Sequence, residues 1–401
     1  MGRFMALCIE KPQIGQEASQ AATSLPKACS NPARMKSSFT ALFALTLTLA
    51  AQQPDVFRAW DRDQNGQLSR DELPEGLRKN FDRVDTNHDG SISREEHNAI
   101  ARRNNPASST PRIPENVRAL RDLPYADTEN PRQRLDLYLP EKREGIAPLP
   151  VIVFIHGGGW RGGDKAGGIG NVGRFVSSGR FAGASIGYRL TGEAQWPAQI
   201  HDCKAAIRWI KAHAKEHGLD PEKIAVWGSS AGGHLVSFLG TSGDVPALEG
   251  TLGKHTDQNS RVRCVVNFFG PENFLTMVTQ ESTVDRTTPD YPEALLLGGR
   301  VQEKQEAAKE ASPVTHISAG DAPFLTAHGT KDPLVPYAQA TELDAALKKA
   351  GVESLLIEMT NGGHGFRSEE LDRRIAQFFD KHLRGIEATI STEPIAVTER
   401  R

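Results

Sequence analysis

The chemistry of this chain turns on a serine set among small residues. Trp227-Gly228-Ser229-Ser230-Ala231-Gly232-Gly233 follows the apolar run Lys223-Ile224-Ala225-Val226 and leads into His234-Leu235-Val236-Ser237-Phe238-Leu239. That context is a strand, a sharp turn and a helix, with Ser230 at the centre of Gly-x-Ser-x-Gly. Gly228 and Gly232 let strand and helix approach closely, so the Ser230 hydroxyl is expected to stand exposed above a sheet edge. Ser229 is expected to be no more than the small residue such a turn demands. A hydroxyl is a poor nucleophile at neutral pH unless a base takes its proton and an acid orients that base. Two later segments supply them. His328-Gly329-Thr330-Lys331-Asp332-Pro333 places Asp332 in the turn after a strand, and Gly362-Gly363-His364-Gly365-Phe366 places His364 in a Gly-rich loop before the last helix. A fourth segment, Ile155-His156-Gly157-Gly158-Gly159-Trp160, follows a buried strand. Acyl transfer creates an oxyanion that needs N–H donors already aimed at it, and the backbone N–H groups of Gly158, Gly159 and Ala231 are assigned that task. No Gly-Lys-(Ser/Thr) follows the glycines, which excludes a phosphate cradle. His156 is expected to brace the loop rather than act as a base.

These groups must be held by strands and helices in alternation. Arg134–Leu139 alternates as a half-buried strand does, and Pro150–Ile155 is continuously apolar, as in a strand covered on both faces. Further strands are expected at 182–188, 224–227, 262–268, 323–327 and 355–359, and helices at 198–215, 230–239, 337–350 and 371–383. The pattern implies a three-layer α/β domain with a mostly parallel sheet over residues 115–385. Residues 271–312 break the alternation and are expected to form a cap or lid over the strand ends. A polar tail is expected at 386–401. Asp202 is expected to be a structural partner rather than the acid of the triad. His201, His234, His316 and His328 are expected at the surface or bracing loops. Trp160 and Trp196 are open between walling an acyl pocket and ordinary core packing. Cys203 and Cys264 lack metal-ligand spacing and are expected to be buried free thiols.

The order Ser230, Asp332, His364, with the His-Gly-Gly-Gly-Trp loop ahead of it, resembles the α/β-hydrolase superfamily over residues 130–385. The loop is similar to that of the acetyl-esterase and hormone-sensitive-lipase-like branch. Leu135-Asp136-Leu137-Tyr138-Leu139-Pro140 and Pro197-Ala198-Gln199-Ile200-His201-Asp202 resemble its bacterial feruloyl- and acetyl-xylan-esterase-like members. The resemblance implies hydrolysis of short-acyl carboxylic esters, small or on a polysaccharide, without a catalytic metal. Two other classes remain open. A prolyl-oligopeptidase-like peptidase shares the turn and the order but usually carries a propeller, and no blade-length repeat precedes this domain. A calcium-binding module with an inactive hydrolase domain is the other.

The N-terminal part reads differently. Residues 55–103 carry a two-fold repeat, Asp61-Arg62-Asp63-Gln64-Asn65-Gly66-Gln67-Leu68-Ser69-Arg70-Asp71-Glu72 and Asp85-Thr86-Asn87-His88-Asp89-Gly90-Ser91-Ile92-Ser93-Arg94-Glu95-Glu96. Both resemble the EF-hand calcium loop position for position, and the expected cofactor is non-catalytic calcium. The ligands would come from Asp61, Asp63, Asn65, Gln67 and Glu72 in the first loop, and from Asp85, Asn87, Asp89, Ser91 and Glu96 in the second. Leu68 and Ile92 would pair the loops through a short strand. The loops start 24 residues apart, so Leu73–Val84 must serve both loops and a compact, small all-α EF-hand domain is expected. Residues 104–114 form a Pro-rich linker. Residues 1–51 are expected to be a leader with a signal peptide starting at Met35 and ending near Ala50 or Ala51, implying a secreted or periplasmic protein. No longer apolar run suggests a membrane span, and the net charge of −2 gives no reason to expect nucleic acid.

Overall fold

The computed structural model describes residues 57, 60–74, 78, 80–97, 111–145 and 147–397. The expected leader and most of the expected linker lie outside them.

In the N-terminal unit, β1 (Gln67–Leu68) pairs antiparallel with β2 (Ile92–Ser93), Leu68 opposite Ile92. The two position-eight residues thus join the loops as the repeat predicts. Phe57, Leu68, Leu73, Phe81 and Ile92 form a small separate core. Gly66 and Gly90 take φ of 82° and 85°, the left-handed turn a side chain would resist.

The catalytic-size domain is built on a nine-stranded sheet in the order β11-β10-β9-β8-β7-β5-β6-β4-β3. Its strands are β3 (Val117–Pro124), β4 (Arg134–Pro140), β5 (Leu149–Ile155), β6 (Ala182–Ile186), β7 (Leu219–Ser229), β8 (Cys264–Phe268), β9 (Phe324–Gly329), β10 (Ser354–Thr360) and β11 (Ile395–Ala396). All pairings from β11 to β6 are parallel, and β4 and β3 add antiparallel at one edge. Strand β5 is buried throughout. Its Val151, Val153 and Ile155 join one core, and Ile152 and Phe154 join the other. Period-two alternation therefore feeds two helical layers. Helices α1 (Ile169–Ser177) and α5 (Glu369–Phe379) cover one face. Helices α2 (Ala198–Ala212), α3 (Ala231–Thr241) and α4 (Ala338–Lys349) cover the other.

Three elements differ from the sequence expectation. Strand β3 and helix α1 were not expected. Residues 386–397 are not a free tail, because Met359 and Thr360 of β10 pair in parallel with Ile395 and Ala396. Within 271–312 lie short helices at Phe274–Met277, Pro292–Leu297 and Gln305–Glu310.

Candidate active site

All four sequence-assigned segments follow the carboxyl ends of parallel strands: β5, β7, β9 and β10. In an open α/β sheet this is where ligands bind.

Ser230, after β7, has φ 54° and ψ −123°, a conformation that persists only when the surroundings enforce it. They do so by close packing. A Cβ on Gly228 would sit 2.2 Å from the Gly232 carbonyl oxygen, and one on Gly232 would sit 2.1 Å from the Ile155 carbonyl oxygen. The Ser230 N–H donates to the Phe268 carbonyl at 2.8 Å, which ties the turn to β8.

His364 Nε2 lies 3.0 Å from Ser230 Oγ, and His364 Nδ1 lies 2.7 Å from Asp332 Oδ2. Residues 134 and 32 positions apart in the chain thus meet in one hydrogen-bonded line. The Asp332 side chain is fully buried. Its Oδ1 accepts the N–H groups of Leu334 at 2.9 Å and Val335 at 3.0 Å. Burial alone would push this carboxyl up, but hydrogen bonds from His328, His364 and the Val335 N–H outweigh it and hold it well below the usual carboxylate range. An ionised Asp332 accepts from Nδ1–H of His364 and leaves the Nε2 lone pair facing Ser230.

The sequence left His328 open between the surface and a loop brace, and the structure shows the brace, on the turn that holds Asp332. His328 is not at the surface but fully buried, with Nε2 2.9 Å from the Val335 carbonyl oxygen and 3.3 Å from Asp332 Oδ2. Its Nδ1 has no partner, so a hydrogen on Nε2, shared between those two acceptors, is the tautomer that strands no donor. It sits four residues before Asp332, a spacing that reveals nothing until the turn is folded.

Gly158, Gly159 and Ala231 line the same cavity of about 760 Å³ as Ser230 and His364. Gly158 and Gly159 take φ of 117° and 59°, and the Arg161 and Gly162 N–H groups donate to the Gly158 carbonyl to close the turn. Ala231 is the first residue of α3, where backbone amides have no partner within the helix. His156 braces this loop. It is buried, its Nδ1 is 2.8 Å from the Gly157 carbonyl oxygen, and its ring stacks on Tyr188 at 4.3 Å. Burial pushes its pKa down to about 4, so the ring is neutral at pH 7.

The 271–312 segment does reach the site. Val284, Arg286, Pro292 and Glu293 line the cavity. Arg286 and Glu293 form a buried ion pair at 3.5 Å, and Arg286 also donates to the Leu334 carbonyl at 3.1 Å. Burial, only partly offset by Arg286, holds the Glu293 carboxyl above its usual range. Trp160 walls the cavity, whereas Trp196 packs on His234 and Phe238.

The remaining candidates are structural. Asp202 is fully buried and accepts from Gln133, from the Arg189 guanidinium at 2.7 Å and from the Arg189 N–H. His234 is also fully buried and bonds the Ala311 carbonyl, while His201 and His316 bond those of Ala247 and Glu310. Cys203 and Cys264 are buried and free.

In the first N-terminal loop, carboxylate oxygens of Asp61, Asp63 and Glu72 lie within 4.8 Å of one another. Asp61 also accepts the N–H groups of Asn65 and Gly66. In the second, Asp85 accepts from Asp89 and Gly90 N–H groups, and Glu96 is held by Thr86 and Ser93. These hard oxygen donors fit calcium.

Against known proteins, the BD-FAE family matches residues 135–347 and the EF-hand family matches residues 55–75 and 77–96. Esterase LipC of Mycobacterium tuberculosis is 30% identical over 246 residues, 59% of this chain and 58% of that protein. The probable carboxylic ester hydrolase LipM of the same organism is 33% identical over 206 residues, 51% of this chain and 46% of that one. The matched region thus spans about half the length of these curated relatives. Among solved structures, a truncated carbohydrate esterase from gut microbiota superposes with a TM-score of 0.60 at 31% identity, covering 67% of this chain and 96% of that one. A bifunctional GH43-CE protein of Bacteroides eggerthii gives 0.60 at 34% identity, covering 66% of this chain and 35% of that one. Fold, strand-end geometry and a match over more than half of the sequence agree: the chain belongs to the BD-FAE family of α/β-hydrolases, with an EF-hand region ahead of that domain.

Proposed function

We propose that this chain is an exported serine carboxylesterase that removes short acyl groups, acetyl or feruloyl on a polysaccharide among them. The observation that carries the reading is the Ser230–His364–Asp332 line, at 3.0 and 2.7 Å, opening on a cavity walled by Gly158, Gly159 and Ala231. Ser230 Oγ attacks the ester carbonyl while its proton passes to His364 Nε2. The carbonyl oxygen becomes an oxyanion met by the amides of Gly158, Gly159 and Ala231, each donor worth about 3 kcal/mol at the transition state. His364 gives its proton to the departing alkoxide, leaving an acyl-enzyme on Ser230. Water, deprotonated by His364, then attacks that acyl group, and the proton returns to Ser230. Asp332 stays ionised and stabilises the imidazolium. The site needs no metal ion. Calcium, held by Asp61, Asp63, Asn65, Gln67 and Glu72 and by the matching second-loop residues, supplies structural stability to the N-terminal unit rather than chemistry. Support for the sugar ester comes from the similarity to a carbohydrate esterase from gut microbiota, and support for export from the Met35–Ala51 segment.

A fluorophosphonate probe is expected to label the wild-type protein and not Ser230→Ala. An ester panel from acetyl to long acyl is expected to favour the short end. A wild-type protein neither labelled nor active on any activated ester contradicts the reading.

A further inference from the structure

Beside the catalytic cavity lies a second one of about 310 Å³. Ser229 and Phe269 line both, so the two meet at the nucleophile turn. Phe269 forms the partition. It is buried, and its ring lies 4.6 Å from that of His364 and 5.3 Å from that of Phe366.

The walls of the second cavity are of two kinds. Phe268 and Phe366, with ring centroids 5.5 Å apart, supply flat apolar surface. Asn171 and Arg174 of α1, with Asp372 of α5 and Arg367 just ahead of it, supply donors and acceptors around it. Arg174 pairs with Asp372 at 2.9 Å, and both side chains are nearly half exposed, so each keeps hydrogen-bonding capacity toward a ligand. Arg367 is exposed.

We propose that this second cavity is a glycan subsite, taking the sugar ring that lies next to the scissile ester; this deepens the esterase reading and rests on it. A purely apolar acyl chain would desolvate Arg174, Asp372 and Asn171 without replacing their hydrogen bonds. A sugar ring has C–H faces for the phenylalanines and hydroxyls for the polar rim, so it answers both kinds of wall. The cavities are adjacent, with His364 lining the first and its neighbour Gly365 the second, so one molecule crossing that rim presents its ester to Ser230 while its ring rests beyond Phe269.

The test compares kcat/KM for an acetylated xylo-oligosaccharide with that for p-nitrophenyl acetate, which is too small to fill both cavities. In Asn171→Trp, which fills the second cavity, and separately in Arg367→Ala, the ratio is expected to fall, by about 10-fold or more for the former. Activity on p-nitrophenyl acetate reports that each variant is folded. An unchanged ratio in both variants overturns the proposal. Wild-type protein active on p-nitrophenyl acetate but neither hydrolysing the oligosaccharide ester nor binding the unesterified oligosaccharide overturns the subsite and leaves the esterase reading standing. Should the wild type be inert to both esters, the esterase reading falls, and calorimetric titration of unesterified xylo-oligosaccharide into Ser230→Ala decides the cavity by itself. Binding lost in Ser230→Ala/Asn171→Trp supports the cavity assignment, and binding absent or equal in both proteins overturns it.

Discussion

Replacing His328 by leucine isolates the support of the buried acid from the acid itself. Asp332 accepts from four donors, at 2.7 Å from His364, 2.9 Å from Leu334, 3.0 Å from Val335 and 3.3 Å from His328. The His328 contact is the longest, and its Nε2 is nearer the Val335 carbonyl at 2.9 Å. A hydrogen bond to a charged group contributes about 1.5–3 kcal/mol, and a stranded buried carbonyl costs about 1–3 kcal/mol. Taking the low end of the first for its length, the leucine variant should lose roughly 2.5–4.5 kcal/mol, a Tm drop of about 5–18 °C for a domain of this size. The effect on chemistry should be smaller. Three donors remain, so the carboxyl moves up but is still held below its usual range. It therefore stays ionised at pH 7, and kcat should fall no more than about 10-fold, against about 10⁴ for Asp332→Asn. The pH dependence has a definite sign. Because the folded-state pKa of Asp332 is depressed, its stabilisation is present above the unfolded value and is lost as pH falls toward the folded one. The unfolded value is common to both proteins, so the Tm gap between wild type and His328→Leu should be nearly the same at pH 7 and pH 3.5 and shrink only as pH falls through the variant's still depressed folded-state value. Calorimetry at pH 7 and pH 3.5, with p-nitrophenyl acetate kinetics at pH 7, measures all three quantities. A variant as stable as wild type at pH 7, or one as inactive as Asp332→Asn, refutes the assignment.

Two further outcomes test the rest of the site and the N-terminal unit. Gly232→Ala should lower kcat by about 10²-fold or more, because its Cβ would lie 2.1 Å from the Ile155 carbonyl oxygen and must displace the oxyanion loop; a loss under threefold would show that the close approach does not hold the site. Calcium should stabilise the N-terminal unit by about 2.7 kcal/mol at a hundred times Kd and so raise its unfolding temperature, and Asp61→Ala with Asp85→Ala should remove that rise without changing kcat on p-nitrophenyl acetate. A calcium-dependent kcat would contradict the structural role.

The chemistry was more legible in the sequence than the scaffold because the chemistry depends on residue identity and the scaffold depends on context. Ser230, Asp332 and His364 sit in loops rich in Gly and Pro, whose composition announces the turns that expose them. Strand β5 is equally plain, since burial on both faces demands a continuous apolar run. Helix α1 gave no such signal. It begins Ile169-Gly170-Asn171-Val172-Gly173, and two glycines in its first five residues oppose helix formation. It forms because Ile169, Val172, Phe175 and Val176 are buried against the sheet, so tertiary packing overrides local preference. Strand β3 was hidden for the converse reason. Its Arg118, Arg121 and Asp122 suit an edge exposed to water, where alternation is blurred by charge.

The same distinction explains which site residues were missed. Arg286 and Glu293 are far from any motif and look like ordinary surface charge until the 271–312 segment folds back over the strand ends. Only then do they become a buried pair that also reaches the Leu334 carbonyl, two residues beyond Asp332. His328, through its contact with Asp332, belongs to the same class, and so does Phe269, whose φ of 40° turns its ring between the two cavities. A residue that reacts must be of a particular type and so can be found by type. One that positions another is defined by what it touches, as where Arg286 reaches the Leu334 carbonyl across two segments that the sequence leaves unordered in space. On the proposed reading of the second cavity as a sugar subsite, substrate specificity belongs to that later class, to Asn171 and Arg367 rather than to the triad.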